Sequence, residues 1–282
     1  MPELPEVETI CRALRNGGRD APAILNWQIE KAEVFWPKTL AEPDKQEFLQ
    51  QVAGQSVLNV QRRAKFIVIQ LTDDFLVVHL RMSGDLRVEP NTKDLQKHDH
   101  LVIWFQNGFH MAFNDPRKFG RVWFRKDVEG LFARLGPEPL ELQSSENFFN
   151  CLLQRRRQLK PLLMDQNFLA GMGNIYTDEA LHIAGLHPLM NSSDLTQKEA
   201  QKLLYAIQDV LSTGIQRNGA SIDWFYRGGS FQNEFRVYGR SGQPCPICGT
   251  FIEKIVVGQR GTHYCPVCQP TSRSSQTTEK KG

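Results

Sequence analysis

The chain has 282 residues, 40% of them apolar and 23% charged, with a formal charge of +3. A length of this kind exceeds what one core usually holds, so two globular domains are expected. No apolar run approaches the roughly 18 residues of a membrane helix. The acidic start Met1-Pro-Glu-Leu-Pro-Glu-Val-Glu lacks the hydrophobic region of a secretory signal, so a cytoplasmic protein is expected. Charge is balanced over residues 1–140 and the positive excess lies in 141–282. Bulk charge therefore identifies no polyanionic partner, and any such site has to be built from local clusters.

In chain order, residues 3–18 read as a helix, with Val7, Ile10, Cys11 and Leu14 on one face. From about 27 to 125 the pattern is that of strands: Phe66-Ile-Val-Ile-Gln-Leu, Phe75-Leu-Val-Val-His-Leu, His100-Leu-Val-Ile-Trp-Phe and Val122-Trp-Phe. Thr72-Asp-Asp, Asn107-Gly and Asn114-Asp-Pro separate them as turns. Many short strands at close spacing predict a sandwich or barrel. Gly136-Pro-Glu-Pro interrupts this and reads as a linker. Residues 145–215 return to helical periodicity, one helix opening after Ser145 and another at a capping box of Thr196 and Glu199. Residues 235–268 are strand and turn again, and the Ser/Thr/Lys-rich tail from Thr271 reads as disordered.

Six cysteines in a cytoplasmic chain are expected to be reduced. Cys11 and Cys151 stand alone and read as ordinary semi-buried thiols. Cys245, Cys248, Cys265 and Cys268 form C-x2-C-x16-C-x2-C, the spacing of a tetrahedral zinc site. Pro and Gly around each pair make tight turns that let two sulfurs converge. Disulfides conflict with the compartment, and a redox pair would stand alone. Four thiolates leave no open coordination position, so the expected ion is one structural Zn²⁺ that folds a hairpin without a core of its own. Arg260, near the tip of that hairpin, reads equally as a solvated turn residue or as a finger toward phosphate.

At the other end, initiator methionine is commonly removed before a small residue, which would make Pro2 the mature terminus. Its secondary amine would have a pKa near 7.7–8.0, low enough to be partly neutral and nucleophilic. Secondary amines attack aldehyde-like carbons to give iminium ions, and Glu3 beside it could move protons. Taken alone, Pro-Glu at a helix start is an unremarkable pair.

A set of motifs changes that reading. Pro2-Glu-Leu-Pro-Glu-Val-Glu-Thr, Arg62-Arg-Ala-Lys-Phe, His79-Leu-Arg-Met-Ser-Gly, Lys97-His-Asp-His, Asn114-Asp-Pro-Arg-Lys-Phe-Gly, Leu135-Gly-Pro-Glu-Pro-Leu, Gly171-Met-Gly-Asn-Ile-Tyr, Val237-Tyr-Gly-Arg and the cysteine hairpin follow one another in order. From Pro2 to about Gln269 the sequence resembles the formamidopyrimidine-DNA glycosylases, which excise oxidised purines such as 8-oxoguanine and formamidopyrimidines in base excision repair.

The resemblance implies an α+β protein of two domains, acting as a monomer on double-stranded damaged DNA. Residues 1–135 would form a catalytic β-sandwich flanked by a helix, 136–145 a linker, 146–234 a helix–two-turn–helix DNA-binding domain, 235–270 the zinc-finger hairpin and 271–282 the tail. It implies Pro2 as Schiff-base nucleophile and Glu3 as general acid/base. Lys65 would be the catalytic lysine, in place of the snorkelling strand lysine its context alone suggests. Arg260 would assist elimination and hold phosphate. Strand cleavage would follow by β,δ-elimination.

A base has to leave the duplex before it can react. Met82, Arg117 and Phe119 match the family's intercalating trio: a plug, a donor to the orphaned base and a wedge. His98, Lys160 and Asn174 match backbone-binding positions, and Tyr176 follows in the last of those motifs. Arg156 stands where relatives often carry a DNA-binding lysine. It lies four residues before Lys160, on the same face if the helix continues.

Two departures stand out. Arg81 occupies a position that is often glycine, and Asn218-Gly-Ala-Ser-Ile-Asp-Trp-Phe-Tyr-Arg-Gly-Gly-Ser-Phe-Gln differs from the usual loop over the flipped purine. Ser221 or Tyr226 could contact the base from this loop, and the contact is assigned to neither. Two alternatives stay open: an endonuclease VIII-like enzyme for oxidised pyrimidines, and a non-catalytic zinc protein that binds damaged DNA. Leu4-Pro5 and the Met82/Arg117/Phe119 trio favour the purine branch, and the presence of Pro2, Glu3 and Lys65 favours an enzyme.

Overall fold

The computed structural model describes residues 1–221 and 228–271. Tyr226 and the tail beyond Thr271 lie outside the described residues. The chain divides into two compact units, Met1–Glu138 with Leu211–Glu234, and Pro139–Val210 with the chain from Phe235.

The first unit opens with α1 (Leu4–Asn16), slightly shorter than its periodicity suggests because Gly17 ends it with φ +82°. Val7, Ile10 and Cys11 are fully buried and Leu14 nearly so, as the spacing predicts. The strands are β1 (Ile29–Val34), β2 (Leu40–Glu42), β3 (Val57–Arg63), β4 (Phe66–Leu71), β5 (Phe75–His79), β6 (Asp85–Pro90), β7 (Asp99–Phe105), β8 (Phe109–Asn114) and β9 (Arg121–Arg125). Helix α2 (Lys45–Val52) lies between β2 and β3, and the short α3 (Glu129–Phe132) follows β9. The strands form two sheets, ordered β1-β7-β8-β6 and β2-β9-β5-β4-β3. One hydrophobic core takes residues from both sheets and from α1, including Ile10, Ile69, Val78, Ile103 and Phe113. This is the β-sandwich that the alternating apolar runs predict.

The second unit contains α4 (Ser145–Arg155), α5 (Leu159–Leu163), α6 (Asn174–Ala184), most of α7 (Gln197–Gln216) and a hairpin of β10 (Glu253–Val257) and β11 (Arg260–Tyr264). Ser144 caps α4, its hydroxyl accepting from Asn147 N at 3.1 Å. The capping box before α7 is reciprocal: Thr196 N donates to Glu199 Oε2 at 2.7 Å and Glu199 N donates to Thr196 Oγ1 at 3.3 Å. Cys11 is fully buried and Cys151 exposed, so neither lone cysteine is semi-buried.

A further sequence expectation changes. The helix through Arg156 does not continue: Arg156 caps α4 in the left-handed region at φ 45°, and α5 starts afresh at Leu159. Arg156 and Lys160 therefore share no helical face. Residues 211–234 cluster with the first unit. One tie there is Glu6, whose Oε1 accepts from Ala220 N at 2.8 Å. Gly219 permits that approach: its φ is +78°, and a Cβ there would lie 2.6 Å from Glu6 Oε1.

Buried charge also fixes the turn between β3 and β4. Glu138 accepts from Arg62 Nη1 at 2.7 Å, Arg63 Nη1 at 2.8 Å and Ala64 N at 2.6 Å. Removing a partner from a buried ion cluster strands the rest without compensation. Glu138→Ala is therefore expected to lower unfolding free energy by about 3 kcal/mol, with Glu138→Gln between it and wild type, measured by urea denaturation.

His79, at the end of β5, packs edge-on against Phe66 with ring centroids 4.7 Å apart. Burial, with help from Arg81 and Lys65, pushes its pKa down to about 3. An unfolded histidine titrates near 6.5, so the unfolded chain takes up the proton first. The stability His79 contributes is thus complete above about pH 6.5 and is lost as pH falls toward 3. Urea midpoints measured across that window are expected to fall less steeply in His79→Gln than in wild type.

Candidate functional site

The first unit contains most of the expected catalytic and DNA-binding residues. Pro2 and Glu3 are buried at the N-terminus of α1. Glu3 is the N-cap residue, and its backbone N donates to Glu6 Oε2 at 2.8 Å. The carboxylate of Glu6 thus ties the start of the chain, through its other oxygen, to Ala220. Neither Glu6 nor Ala220 was singled out in the sequence. Only the spacing of Glu3 and Glu6 hints at the capping box.

Lys65 is not a strand residue. With Ala64, which adopts φ 53°, it forms the two-residue turn between β3 and β4. It is buried, at 5% exposure. The turn is held from outside by Glu138, so the Arg62-Arg-Ala-Lys motif is a turn stapled by a carboxylate 74 residues away from Ala64. No local sequence signal reveals that pairing.

Met82, Arg117 and Phe119 are exposed, Met82 at 37% and Phe119 at 49%. Taken separately each apolar side chain would be expected in the core, and neither lies there. They come from two loops, β5–β6 and β8–β9, that meet on Asp115. The Oδ1 of Asp115, a fully buried residue, accepts a short hydrogen bond from Ser83 Oγ and one from Arg117 N at 3.2 Å. Oδ2 accepts from Gly120 N at 2.7 Å. Asp115 N donates to His98 O at 3.0 Å, which fixes the half-buried His98 to the same knot. The Arg117 guanidinium lies 5.1 Å from the Phe119 ring centroid, so cation and ring are presented as one stacked surface. Arg81, next to Met82, is exposed and holds φ 53°, the region where glycine is unstrained. That is the physical reason a glycine suits this position.

The second unit holds the remaining candidates and separates them. Arg260 is exposed at the first position of β11, after a Gly258-Gln259 turn with both φ values positive. Arg156 is exposed. Asn174, the first residue of α6, is half-buried and donates through Nδ2 to Gly261 O at 3.1 Å. Lys160 and Tyr176 are fully buried. Lys160 Nζ donates to Asp178 Oδ1 at 2.6 Å and to Gly261 O at 3.1 Å, so its charge faces protein groups. Tyr176 is among the largest wholly buried side chains and packs in the core.

The four cysteines of the hairpin converge. Their sulfurs all lie within 4.8 Å of one another, with Cys248–Cys265 at 3.4 Å and Cys245–Cys268 at 3.9 Å. A tetrahedron with Zn–S arms of about 2.3 Å has edges of roughly 3.8 Å, so the donor set fits that ion. Among the described residues this is the one group of its kind. Two residues of α6 serve it. Glu179 accepts backbone N–H groups of Arg236, Val237 and Tyr238 at 2.9, 3.0 and 2.8 Å, fixing the segment that leads to the first knuckle. His182 lies with Nε2 3.4 Å from Cys245 Sγ. Burial, with Arg236 and Arg240 nearby, lowers its pKa to about 4, so near pH 7 it is neutral and can donate Nε2–H to a thiolate.

Comparison with known sequences and structures follows the same division of the chain. Three family patterns match: the formamidopyrimidine-DNA glycosylase N-terminal domain over residues 1–122, the formamidopyrimidine-DNA glycosylase H2TH domain over 135–225, and the zinc finger found in FPG and IleRS over 242–271. The formamidopyrimidine-DNA glycosylase of Protochlamydia amoebophila is 42% identical over 279 residues, covering 95% of this chain and 99% of its own. That of Herpetosiphon aurantiacus is 41% identical over 278 residues, covering 95% and 100%. A Lactococcus lactis FPG mutant in complex with a Fapy-dG containing DNA superposes with a TM-score of 0.88 at 34% identity, covering 95% of this chain and 100% of that one. MutM in complex with carbocyclic 8-oxo-G containing DNA matches with the same score, identity and coverage. Among the described residues no helix is long and apolar enough to cross a membrane. The sandwich with its buried N-terminal proline, the helical unit and the four-cysteine hairpin thus agree with sequence similarity along nearly the whole length, and the chain belongs to the formamidopyrimidine-DNA glycosylase family.

Proposed function

We propose that this protein is a bifunctional glycosylase and abasic-site lyase that removes oxidised purines from double-stranded DNA, using Pro2 as nucleophile. The observation that carries the reading is the composition of the first unit. One fold holds a buried Pro2-Glu3 pair at a helix start, a buried Lys65 on a stapled turn, and an exposed Met82/Arg117/Phe119 set on loops knotted by Asp115. Similar structures contain Fapy-dG and 8-oxo-G DNA, and a Lactococcus lactis Fpg holds an abasic site containing DNA, which supports the same lesion class here.

In the proposed reaction the damaged nucleotide leaves the stack and the exposed trio fills the gap. Phe119 wedges between base pairs, Met82 plugs the space and Arg117 donates to the orphaned base. Removal of Met1 frees the Pro2 secondary amine, which is partly neutral near pH 7. Its lone pair forms a bond to C1′ and the base departs with the glycosidic electron pair, with Glu3 and Lys65 passing protons. The amine proton is lost and the C1′–O4′ bond breaks, O4′ taking up a proton, which opens the sugar to an iminium; this loses a proton from C2′, and the C3′–O bond breaks as the 3′ phosphate leaves in the β-elimination. A second elimination releases the 5′ phosphate.

His98, Arg156, Asn174 and Arg260 bind backbone phosphates in this reading. Lys160 and Tyr176 act from behind that surface. A Zn²⁺ ion on Cys245, Cys248, Cys265 and Cys268 supplies structure alone, because four thiolates close its coordination sphere.

Borohydride reduction during turnover on an 8-oxoguanine duplex is expected to leave a covalent adduct with wild type. Pro2→Gly should lower its yield by at least about 100-fold. Adduct at wild-type yield in the variant, or Met1 retained in the active protein, places the nucleophile elsewhere. A matched duplex with thymine glycol tests the alternative lesion class, and preference for it overturns the purine assignment.

Metal removal tests the hairpin. Chelation that strips zinc is expected to unfold residues 235–270 and weaken duplex binding, because the ion contributes on the order of 10 kcal/mol to such a unit. Binding unchanged in protein shown by elemental analysis to be zinc-free would rule out the structural role.

A further inference from the structure

We propose that Asp178 is a positioning residue for Arg260, acting through Lys160 and the backbone of β11. The inference rests on the reading of Arg260 as a phosphate-binding finger. An exposed arginine on a hairpin tip loses freedom when it binds, and a fixed backbone reduces that loss. The structure supplies the fixing.

β10 and β11 form a two-stranded sheet, so β11 has one side without a strand partner. Gly261 and His263 turn their outward backbone groups to that side. Gly261 O accepts from Lys160 Nζ and from Asn174 Nδ2, each at 3.1 Å. His263 N donates to Asp178 Oδ2 at 2.9 Å, and His263 Nδ1 lies 3.4 Å from the same oxygen. Asp178 Oδ1 accepts from Lys160 Nζ at 2.6 Å. The side chains of Lys160 and Asp178 are wholly buried. Within the strand, Thr262 Oγ1 donates to Arg260 O at 3.0 Å.

The chemistry assigns the order of dependence. A buried ammonium is untenable without a counter-charge, so Asp178 is what keeps Lys160 charged and in place. Lys160, so held, points a proton at Gly261 O, one peptide from Arg260. Asp178 also holds His263 directly. One carboxylate on α6 thereby fixes an outward group at both of these positions on the strand that carries the finger. The turn before it is close-packed as well: a Cβ on Gly258 would meet Pro161 Cγ at 3.2 Å.

The test is a double-mutant cycle on binding to a duplex that carries a tetrahydrofuran abasic analogue, read against salt. Arg260→Ala is expected to weaken binding roughly 10- to 100-fold, the range for a hydrogen bond to a charged group. It should also lower the salt slope by about one. Asp178→Asn is expected to reproduce both effects, and Asp178→Asn with Arg260→Ala should bind no more weakly than Arg260→Ala alone. Asp178→Asn with Lys160→Met removes both buried charges. It should keep zinc content and melting temperature near wild type while retaining the binding defect.

Losses that multiply in the cycle, or wild-type affinity in either Asp178 variant, overturn the positioning role while leaving the Arg260 reading intact. A silent Arg260→Ala overturns that reading and the proposal with it. Loss of zinc in both Asp178 variants makes the network a folding element and also overturns the proposal.

Discussion

A carboxylate inside a protein is tolerable only when donors surround it, and this fold uses that constraint to hang its functional loops. Glu6 takes the backbone N–H of Glu3 and of Ala220. Glu138 takes two guanidinium groups and the N–H of Ala64. Asp115 gathers Ser83, Arg117 and Gly120. Asp178 and Glu179 do the same for the hairpin and the segment before it. In each case the acceptor is buried. Hydrophobic packing builds the sandwich; hydrogen bonds to buried charge set where its loops end.

This division explains what the sequence discloses. Alternating runs such as Phe66–Leu71 and the stripe of Val7, Ile10 and Leu14 are local, and the sandwich and α1 follow from them directly. The cysteine spacing is local too, and its four sulfurs meet as expected. Motif resemblance locates Pro2, Glu3, Lys65 and the Met82/Arg117/Phe119 set, all of which the first unit contains. The pairings that hold them are invisible, because Asp115 with Ser83 or Glu138 with Ala64 are separated by tens of residues and carry no periodicity.

Where expectation and structure part, the reason is equally specific. A basic run followed by Lys160 looks like one charged helical face, yet a single left-handed residue at Arg156 ends the helix. Lys160 then turns inward, because α5 has three leucines and no other inward-facing cation for Asp178 to pair with. Tyr176 lies in a helix buried along most of its length, so motif membership and surface exposure separate there.

The link between Glu6 and Ala220 spans 214 residues of chain. A ribosome releases the first unit's sheets long before it reaches that alanine, and domains fold as they emerge. The sandwich can therefore collapse early, while the acceptor that orders the chain start waits for its last donor. The start of the chain reaches its final setting only when synthesis has passed Ala220. A nascent, truncated chain consequently lacks the tie that orders its own first helix.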